Sequence, residues 1–332
     1  MDPVEMLAFA RALIDIDSTT GKEAEAGEWL ASALRRRDFE VTEQRLARGC
    51  ANLLATMDPP DVVLSTHYDC VPPFHASRVA AGRLFGRGAC DAKGILAAQV
   101  AAAERLRAAG ERRVGLLFVA GEERGSDGAE AANTIAPGSR FLINGEPTDN
   151  RLASATRGAL RIRLDASGRA AHSSAPDKGV SAIERLIDAL LLLRTIDLPA
   201  DPDLGQTYYT VGLISGGVAP NVIPPSASAE VMFRTIGPAA DVLATLEPLG
   251  RFVTVTEILR VRPIRMHVVP GFETAVFPFT TDVPLLDRWG IPLLYGPGSI
   301  LVAHTDEEHV SLAELEAAVD GYERLARACL AS

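Results

Sequence analysis

Residues 61–69 have the sequence DVVLSTHYD, an apolar stretch that ends in a histidine and an aspartate. A short apolar run of this kind is typical of a strand that is buried on both faces of a sheet. Similar runs occur at residues 114–120 and 140–144, and an acidic residue follows each of them closely. Helical periodicity is predicted around these strands, at residues 3–15, 22–36, 92–109 and 311–331. The sequence therefore predicts an α/β fold with a largely parallel sheet.

The middle of the chain has a different order of elements. The predicted order is strand, helix, strand, strand, helix, strand, at residues 159–166, 178–195, 207–214, 226–233, 238–248 and 251–261. This βαββαβ order is that of the ferredoxin-like split motif. After this segment the α/β pattern of the first part of the chain resumes, with a short predicted strand at 292–295. We therefore expect a smaller α+β domain, residues 158–266, inserted into a larger domain made of residues 1–157 and 267–332.

The composition of the chain disfavours several classes of protein. The 332 residues include 33 Lys and Arg against 43 Asp and Glu, a formal net charge of −10. Nucleic-acid and anionic-membrane binding need a basic surface, so both are disfavoured. No apolar run reaches the ~18 residues of a membrane span, and charged residues interrupt the first 17 positions where a signal peptide is apolar. We expect a soluble, cytoplasmic protein whose four cysteines are free thiols.

Polar side chains cluster just after the predicted strands and at the start of the 92–109 helix. They are His67, Asp69, Asp91, Glu122, Glu123, Glu146 and His304. Ligands of open α/β sheets bind at the carboxyl ends of the strands, so we expect these residues to converge. Imidazoles and carboxylates without a set of thiolates suit zinc, cobalt or manganese.

These residue types also suggest a reaction. Asp91 could bridge two divalent ions, and one member of the Glu122–Glu123 pair could bind metal while the other accepts a proton from water. Such a site could hydrolyse an amide, because the ions would stabilise the negative charge on the carbonyl oxygen. Asp69 could accept the second ring N–H of His67 and so fix its tautomer.

Five ordered motifs resemble those of the M20 metallopeptidase family. They are His67 to Pro72, Gly86 to Gly94, Gly121 to Glu123, Gly145 to Thr148 and Ala303 to Thr305. The nearest similarity is to the branch of acetylornithine deacetylase and succinyl-diaminopimelate desuccinylase. The resemblance implies a three-layer α/β/α zinc-hydrolase domain. It also implies that His67 and Glu146 hold one zinc ion, that Glu123 and His304 hold the other, that Asp91 bridges them, and that Glu122 is the general base.

The inserted domain resembles the lid and dimerisation domain of the same family. By this similarity His172 polarises the scissile carbonyl, Asn221 contacts substrate and Arg234 binds a substrate carboxylate, a group that suits the guanidinium fork. The family commonly has an acidic residue two positions before that arginine, where this chain has Met232.

The resemblance implies a homodimeric di-zinc amidohydrolase that removes the acyl group from an N-acyl amino acid, with cobalt or manganese as possible substitutes for zinc. A dipeptidase or carboxypeptidase with the same site, acting on short peptides, is an alternative. A non-catalytic relative that serves binding or assembly is another alternative, which the intact set of predicted ligands disfavours.

Overall fold

A computed structural model describes residues 1–332. The helices, in chain order, are α1 Pro3–Ile14, α2 Glu23–Arg35, α3 Lys93–Ala108, α4 Asp127–Ala132, α5 Ala182–Leu193, α6 Ala239–Thr245 and α7 Leu312–Ala331. The strands are β1 Glu40–Arg45, β2 Ala51–Thr56, β3 Val62–His67, β4 Arg78–Ala80, β5 Arg83–Phe85, β6 Val114–Val119, β7 Phe141–Asn144, β8 Leu152–Thr156, β9 Gly158–Ser167, β10 Ala200–Asp201, β11 Gly205–Gln206, β12 Tyr208–Gly216, β13 Ser226–Thr235, β14 Thr254–Val261, β15 Ile264–Arg265, β16 Thr274–Phe277, β17 Ile291–Leu294 and β18 His309–Ser311. None of the helices is both long and apolar enough to cross a membrane.

The chain forms two compact units. The first consists of Met1–Ser154, Met266–Ala275 and Thr281–Ser332. The second consists of Ala155–Arg265 and Val276–Thr280.

A six-stranded sheet with the order β1-β2-β6-β3-β7-β17 is the centre of the first unit. The pairs β6-β3, β3-β7 and β7-β17 are parallel, whereas β1-β2 and β2-β6 are antiparallel. The predicted parallel sheet is therefore confirmed for its central strands, and an antiparallel hairpin extends it at one edge. The edge strand β1 is mostly polar and exposed, so its sequence lacks the apolar signal that marks β3.

Both faces of this sheet are covered. Successive side chains of a strand point to opposite faces. Val62 and Leu64 of β3 pack into a core that includes residues of α1, α2, α3 and α7. Val63 packs into a second core with residues of α4 and with Trp289. The result is the α/β/α layering expected from the sequence.

The second unit has a four-stranded sheet with the order β12-β13-β9-β14, and all neighbouring strands are antiparallel. Numbered within the βαββαβ motif this order is 2-3-1-4, the arrangement of the ferredoxin-like fold. Residues of α5 and α6 pack with alternate residues of the sheet in one apolar core.

Two predicted helices are shorter than expected. The helix predicted at 178–195 begins at Ala182, because the side chain of Ser181 caps it by accepting a hydrogen bond from the Glu184 N–H. The helix predicted at 238–248 ends at Thr245, where a 3-10 turn containing Pro248 follows. Proline lacks the N–H that would continue an α-helix.

Candidate metal centre

His67 and Asp91 meet at the carboxyl edge of the central sheet. His67 is the last residue of β3, and Asp91 lies in the loop that leads into α3. The Nε2 atom of His67 is 3.0 Å from Oδ1 of Asp91, and both side chains are buried. Two residues that lie 24 positions apart in sequence thus face each other directly.

The second oxygen of Asp91 faces the other predicted histidine. The Nε2 atom of His304 lies 3.2 Å from Oδ2 of Asp91 and 2.9 Å from Oε1 of Glu123. Each oxygen of Asp91 therefore has a different imidazole as its neighbour. A carboxylate that bridges two ions needs this arrangement.

Asp69 organises the acidic turn as well as the histidine. Its carboxylate accepts hydrogen bonds from the backbone N–H groups of Glu122 (3.2 Å) and Glu123 (3.1 Å). Nδ1 of His67 lies 3.1 Å from the backbone oxygen of Asp69 and 3.6 Å from its carboxylate. Asp69 thus fixes two parts of the site, whereas the sequence suggested contact with the histidine alone.

Three carboxyl groups in this region have raised pKa values: Asp282 and Glu146, which are buried, and Glu122, which is half-buried. Burial, the charge of Asp282 and other nearby carboxylates raise the pKa of Glu122 well above its usual value. Burial and the charges of Asp91 and Glu122 do the same for Glu146. Burial raises the pKa of Asp282 to about 6, although a hydrogen bond from Ser126 opposes the shift. Sequence reasoning missed Asp282, because no predicted strand or motif precedes it.

The two histidines and Asp91 have pKa values shifted towards their charged forms, upwards for the histidines and downwards for Asp91. Burial lowers the pKa of His67, but the hydrogen bonds and charges of Asp69 and Asp91 outweigh burial and leave it well above the usual value. Hydrogen bonds to Asp91 and Glu123 raise the pKa of His304 to about 10. Burial would raise the pKa of Asp91, yet hydrogen bonds from both histidines hold it well below its usual range. The carboxyl groups of this cluster outnumber its two histidines, so the histidines alone do not neutralise the negative charge.

These observations fit a site for divalent cations. Ligand atoms of His67, Asp91 and Glu123 all lie within 4.8 Å of one another. Glu146 is buried, and its Oε1 atom has no hydrogen-bond partner. Buried carboxylates are stable when they are paired or coordinate a metal. The donor set of imidazoles and carboxylates suits zinc and its neighbours in the first transition row.

The remaining predicted site residues lie in the second unit. Nδ1 of His172 is 2.8 Å from Oγ of Ser174, and the ring is exposed. The N–H of Ser173 donates to the backbone oxygen of Asn221 at 2.9 Å, so the loops of His172 and Asn221 are neighbours. Arg234 lies on β13, where it pairs with Tyr208 of β12 and Ala159 of β9.

Relatives and solved structures resemble nearly the whole chain. A probable carboxypeptidase of Aspergillus clavatus is 36% identical over 98% of this chain and 82% of its own length. The aminopeptidase PepT of Bacillus cereus superimposes with a TM-score of 0.83 at 18% identity, covering 99% of both chains. The YXEP protein of Bacillus subtilis, a dinuclear metal binding peptidase from the M20 family, superimposes with a TM-score of 0.74 at 14% identity, covering 98% of this chain and 97% of its own.

A match to a family of proteins covers most of the chain. The sequence pattern of peptidase family M20/M25/M40 matches residues 63–328. This range contains every residue described above in the candidate metal centre. With a relative that is 36% identical over almost the full chain, the match leads to one assignment: the protein belongs to the M20 family of metallopeptidases and is a hydrolase.

Proposed function

We propose that this hydrolase cleaves an amide bond with the help of two divalent ions. Zinc is the expected metal, and cobalt or manganese could substitute for it. His67 and Glu146 would hold one ion, and Glu123 and His304 the other. Asp91 would be shared between them. The observation that carries this proposal is the position of Asp91, whose two oxygens each lie about 3 Å from a different imidazole, at 3.0 and 3.2 Å.

The bound ions would supply Lewis acidity, which activates water and stabilises negative charge on a carbonyl oxygen. Glu122 accepts the proton of the attacking water and delivers it to the leaving amine. Burial and neighbouring carboxylates raise its pKa, which increases its affinity for a proton. Asp69 keeps Glu122 in place through the backbone N–H of that residue.

We propose that the substrate carries a free carboxylate next to the scissile amide. The name carboxypeptidase of the Aspergillus clavatus relative favours the C-terminal bond of a short peptide. The motif resemblance to acetylornithine deacetylase and succinyl-diaminopimelate desuccinylase favours an N-acyl amino acid. In both cases Arg234 would bind the carboxylate, Asn221 would contact substrate and His172 would polarise the carbonyl.

We also propose that the second unit serves as lid and dimerisation domain of a homodimer. β12 is an edge strand of its sheet, and most of its residues are exposed. Leu213 and Ile214 on this strand are each 63% exposed. An exposed apolar edge strand favours pairing with another strand, and a two-fold axis would pair β12 with its own copy.

A hydrolysis assay on the full chain tests the reaction and chooses between the substrates. The panel contains dipeptides, longer peptides with a free C-terminus, N-acetyl and N-succinyl amino acids, and the same compounds amidated at the carboxylate. We expect release of the C-terminal residue or of the acyl group, loss of that release with a chelator, and its return with zinc. Amidated substrates should react far more slowly. Turnover that a chelator leaves unchanged would contradict the proposal.

A further inference from the structure

Glu308, a buried carboxylate outside the proposed ligand set, accepts hydrogen bonds from the backbone of the loop that contains Asp91. Oε1 of Glu308 accepts hydrogen bonds from the N–H groups of Gly88 (2.9 Å), Cys90 (3.1 Å) and Asp91 (3.1 Å). Only 1% of the Glu308 side chain is exposed. Three N–H groups on one oxygen hold the loop in a single conformation, because each would be costly to leave unpaired when buried.

An arginine from the same loop completes this arrangement. Nη1 of Arg87 donates to Oε2 of Glu308 at 2.5 Å, and the guanidinium is 2% exposed. The guanidinium of Arg87 donates two further hydrogen bonds. Nε donates to the backbone oxygen of Pro73 (3.1 Å), and Nη2 donates to the backbone oxygen of His304 (3.5 Å). One ion pair therefore joins the loop of Asp91 to the loop of His304.

The backbone of His304 is in a conformation that needs such support. Its φ angle is +65°, in the left-handed region that residues other than glycine rarely adopt. Residues persist in this region when the surrounding structure holds them there, often at functional sites. The hydrogen bond from Arg87 reaches the carbonyl of this same residue.

We propose that Arg87 and Glu308 are a positioning pair for the metal centre. Glu308 fixes the backbone that presents Asp91, and Arg87 fixes the backbone that presents His304. The pair thereby sets the separation of two ligands that come from distant parts of the chain. This inference rests on the proposed function, because it treats Asp91 and His304 as metal ligands.

Neither residue touches the reacting atoms, so the pair acts through the ligands it holds. Groups that orient metal ligands typically contribute about 10- to 100-fold to metal affinity or activity. A misplaced Asp91 would weaken binding at both ions, since each of its oxygens faces a different histidine. We expect metal affinity and kcat to fall together while KM changes little.

Glu308→Gln in the full chain is the primary test. Glutamine preserves the shape of the side chain but places an NH2 group against either Arg87 or the three N–H donors. We expect zinc affinity, measured by competition with a chelator, to fall about 10- to 100-fold, with a similar fall in kcat at limiting zinc. Saturating zinc should restore part of kcat, which a purely structural defect would not show.

Glu104→Gln is the matched control. Glu104 lies on α3 and is largely buried. It pairs with Arg37 at 3.3 Å and with the N-terminal amine at 2.9 Å, and neither partner belongs to the Asp91 or His304 loop. The control should lose some stability and keep its zinc affinity and kcat. A folded Glu308→Gln variant that behaves like this control would overturn the proposal.

Arg87→Lys is the second test of the positioning role, and it is needed if Glu308→Gln does not fold. Lysine keeps a positive charge beside Glu308 but cannot reach Pro73 and His304 at the same time. We again expect at least about tenfold weaker zinc binding. Unchanged affinity and kcat, or a chain that fails to fold even with excess zinc, would assign the pair to folding alone. Absence of zinc binding by the wild-type chain would instead overturn the proposed function itself.

Discussion

At the residue scale, Glu122 has the features of a general base. It lies in a short turn that Asp69 holds through the N–H groups of Glu122 and Glu123. Burial and neighbouring carboxylates raise its pKa well above the usual value of a glutamate. The position of this group and its affinity for a proton therefore both suit proton transfer.

Glu122→Gln should abolish most of the activity without removing metal. Glutamine cannot accept the proton of water, so we expect kcat to fall by about 10²- to 10⁴-fold. Zinc content, measured by elemental analysis, should stay at the wild-type level because Glu122 is outside the proposed ligand set. Glu130→Gln on α4 is a control that should leave both quantities unchanged. Wild-type kcat in Glu122→Gln would remove this residue from the mechanism.

Sequence reasoning can identify a site residue when its chemistry lies in its side-chain type. The sequence predicts His67, Asp91 and His304 in this way, and the structure places each histidine within 3.2 Å of Asp91. Glu308 could not be found by the same reasoning, because three of its four partners are backbone N–H groups, which almost any residue type provides. Asp282 was missed because the short strand before it, β16, has no clear pattern.

At the element scale, the junction between the Asp91 loop and α3 depends on a glycine. Gly94 is the second residue of α3, and a Cβ atom there would lie 2.1 Å from the backbone oxygen of Ala89. The loop before the helix folds back so closely that no side chain fits. The start of α3 and the placement of Asp91 are therefore coupled through this contact.

Gly94→Ala should destabilise the first unit and disturb the metal centre. The added methyl group must displace backbone, so we expect a loss of about 1–3 kcal/mol in the free energy of unfolding, with weaker zinc binding. Denaturant unfolding and a zinc titration measure the two effects. Gly250→Ala is the control, because a Cβ atom at Gly250 would have no neighbour within 4 Å. Equal stability of the two variants would contradict this account of the junction.

The sequence predicts the buried strands β3 and β6 and also the alternating strands β9 and β13, whereas it does not predict β1 and β2. β3 and β6 are buried along their whole length; β3 begins with three apolar residues, and β6 has no polar side chain. β2 carries Asn52, a buried polar residue that donates to the oxygen of Gly128 and accepts from the N–H of Ala120. Such a residue interrupts the apolar pattern, although the structure satisfies its hydrogen bonds.

At the scale of the whole molecule, metal-free and metal-bound protein should differ most at alkaline pH. Without metal, the pKa values of His304 and Asp282 are raised to about 10 and about 6 in the folded chain. A group with a raised pKa stabilises the folded state below its unfolded pKa, and this contribution is lost as the pH rises through the folded pKa. His67, Glu122 and Glu146 shift in the same direction.

The metal-free chain should therefore lose stability as the pH rises from 6.5, the ordinary pKa of a histidine, towards about 10, the pKa of His304 in the folded chain. Divalent ions replace the lost protons, and they bind better once the histidines are neutral. We expect the increase in Tm on adding zinc to be larger at about pH 8 than at about pH 6. Thermal unfolding with zinc or with a chelator measures it. An equal increase at both pH values would contradict the predicted coupling.

The second unit supports a prediction about assembly. Two lysines in place of Leu213 and Ile214 would put four charges at a two-fold contact of β12 with its copy. We expect the wild-type chain to be a dimer by light scattering, and the double variant to be a monomer with an intact fold. Val4→Lys is the control, because Val4 is an exposed apolar residue of α1 in the first unit. A wild-type monomer, or a double variant that stays dimeric, would contradict this arrangement.

The central claim is a two-ion site in which Asp91 is shared, and metal content tests it most directly. Elemental analysis after reconstitution with zinc and removal of free metal should find two ions per wild-type chain. Asp91→Asn keeps the shape of the side chain but removes its charge, so the folded variant should retain less than one ion. A wild-type chain with no bound ion, or an Asp91→Asn variant with the full two, would contradict the account.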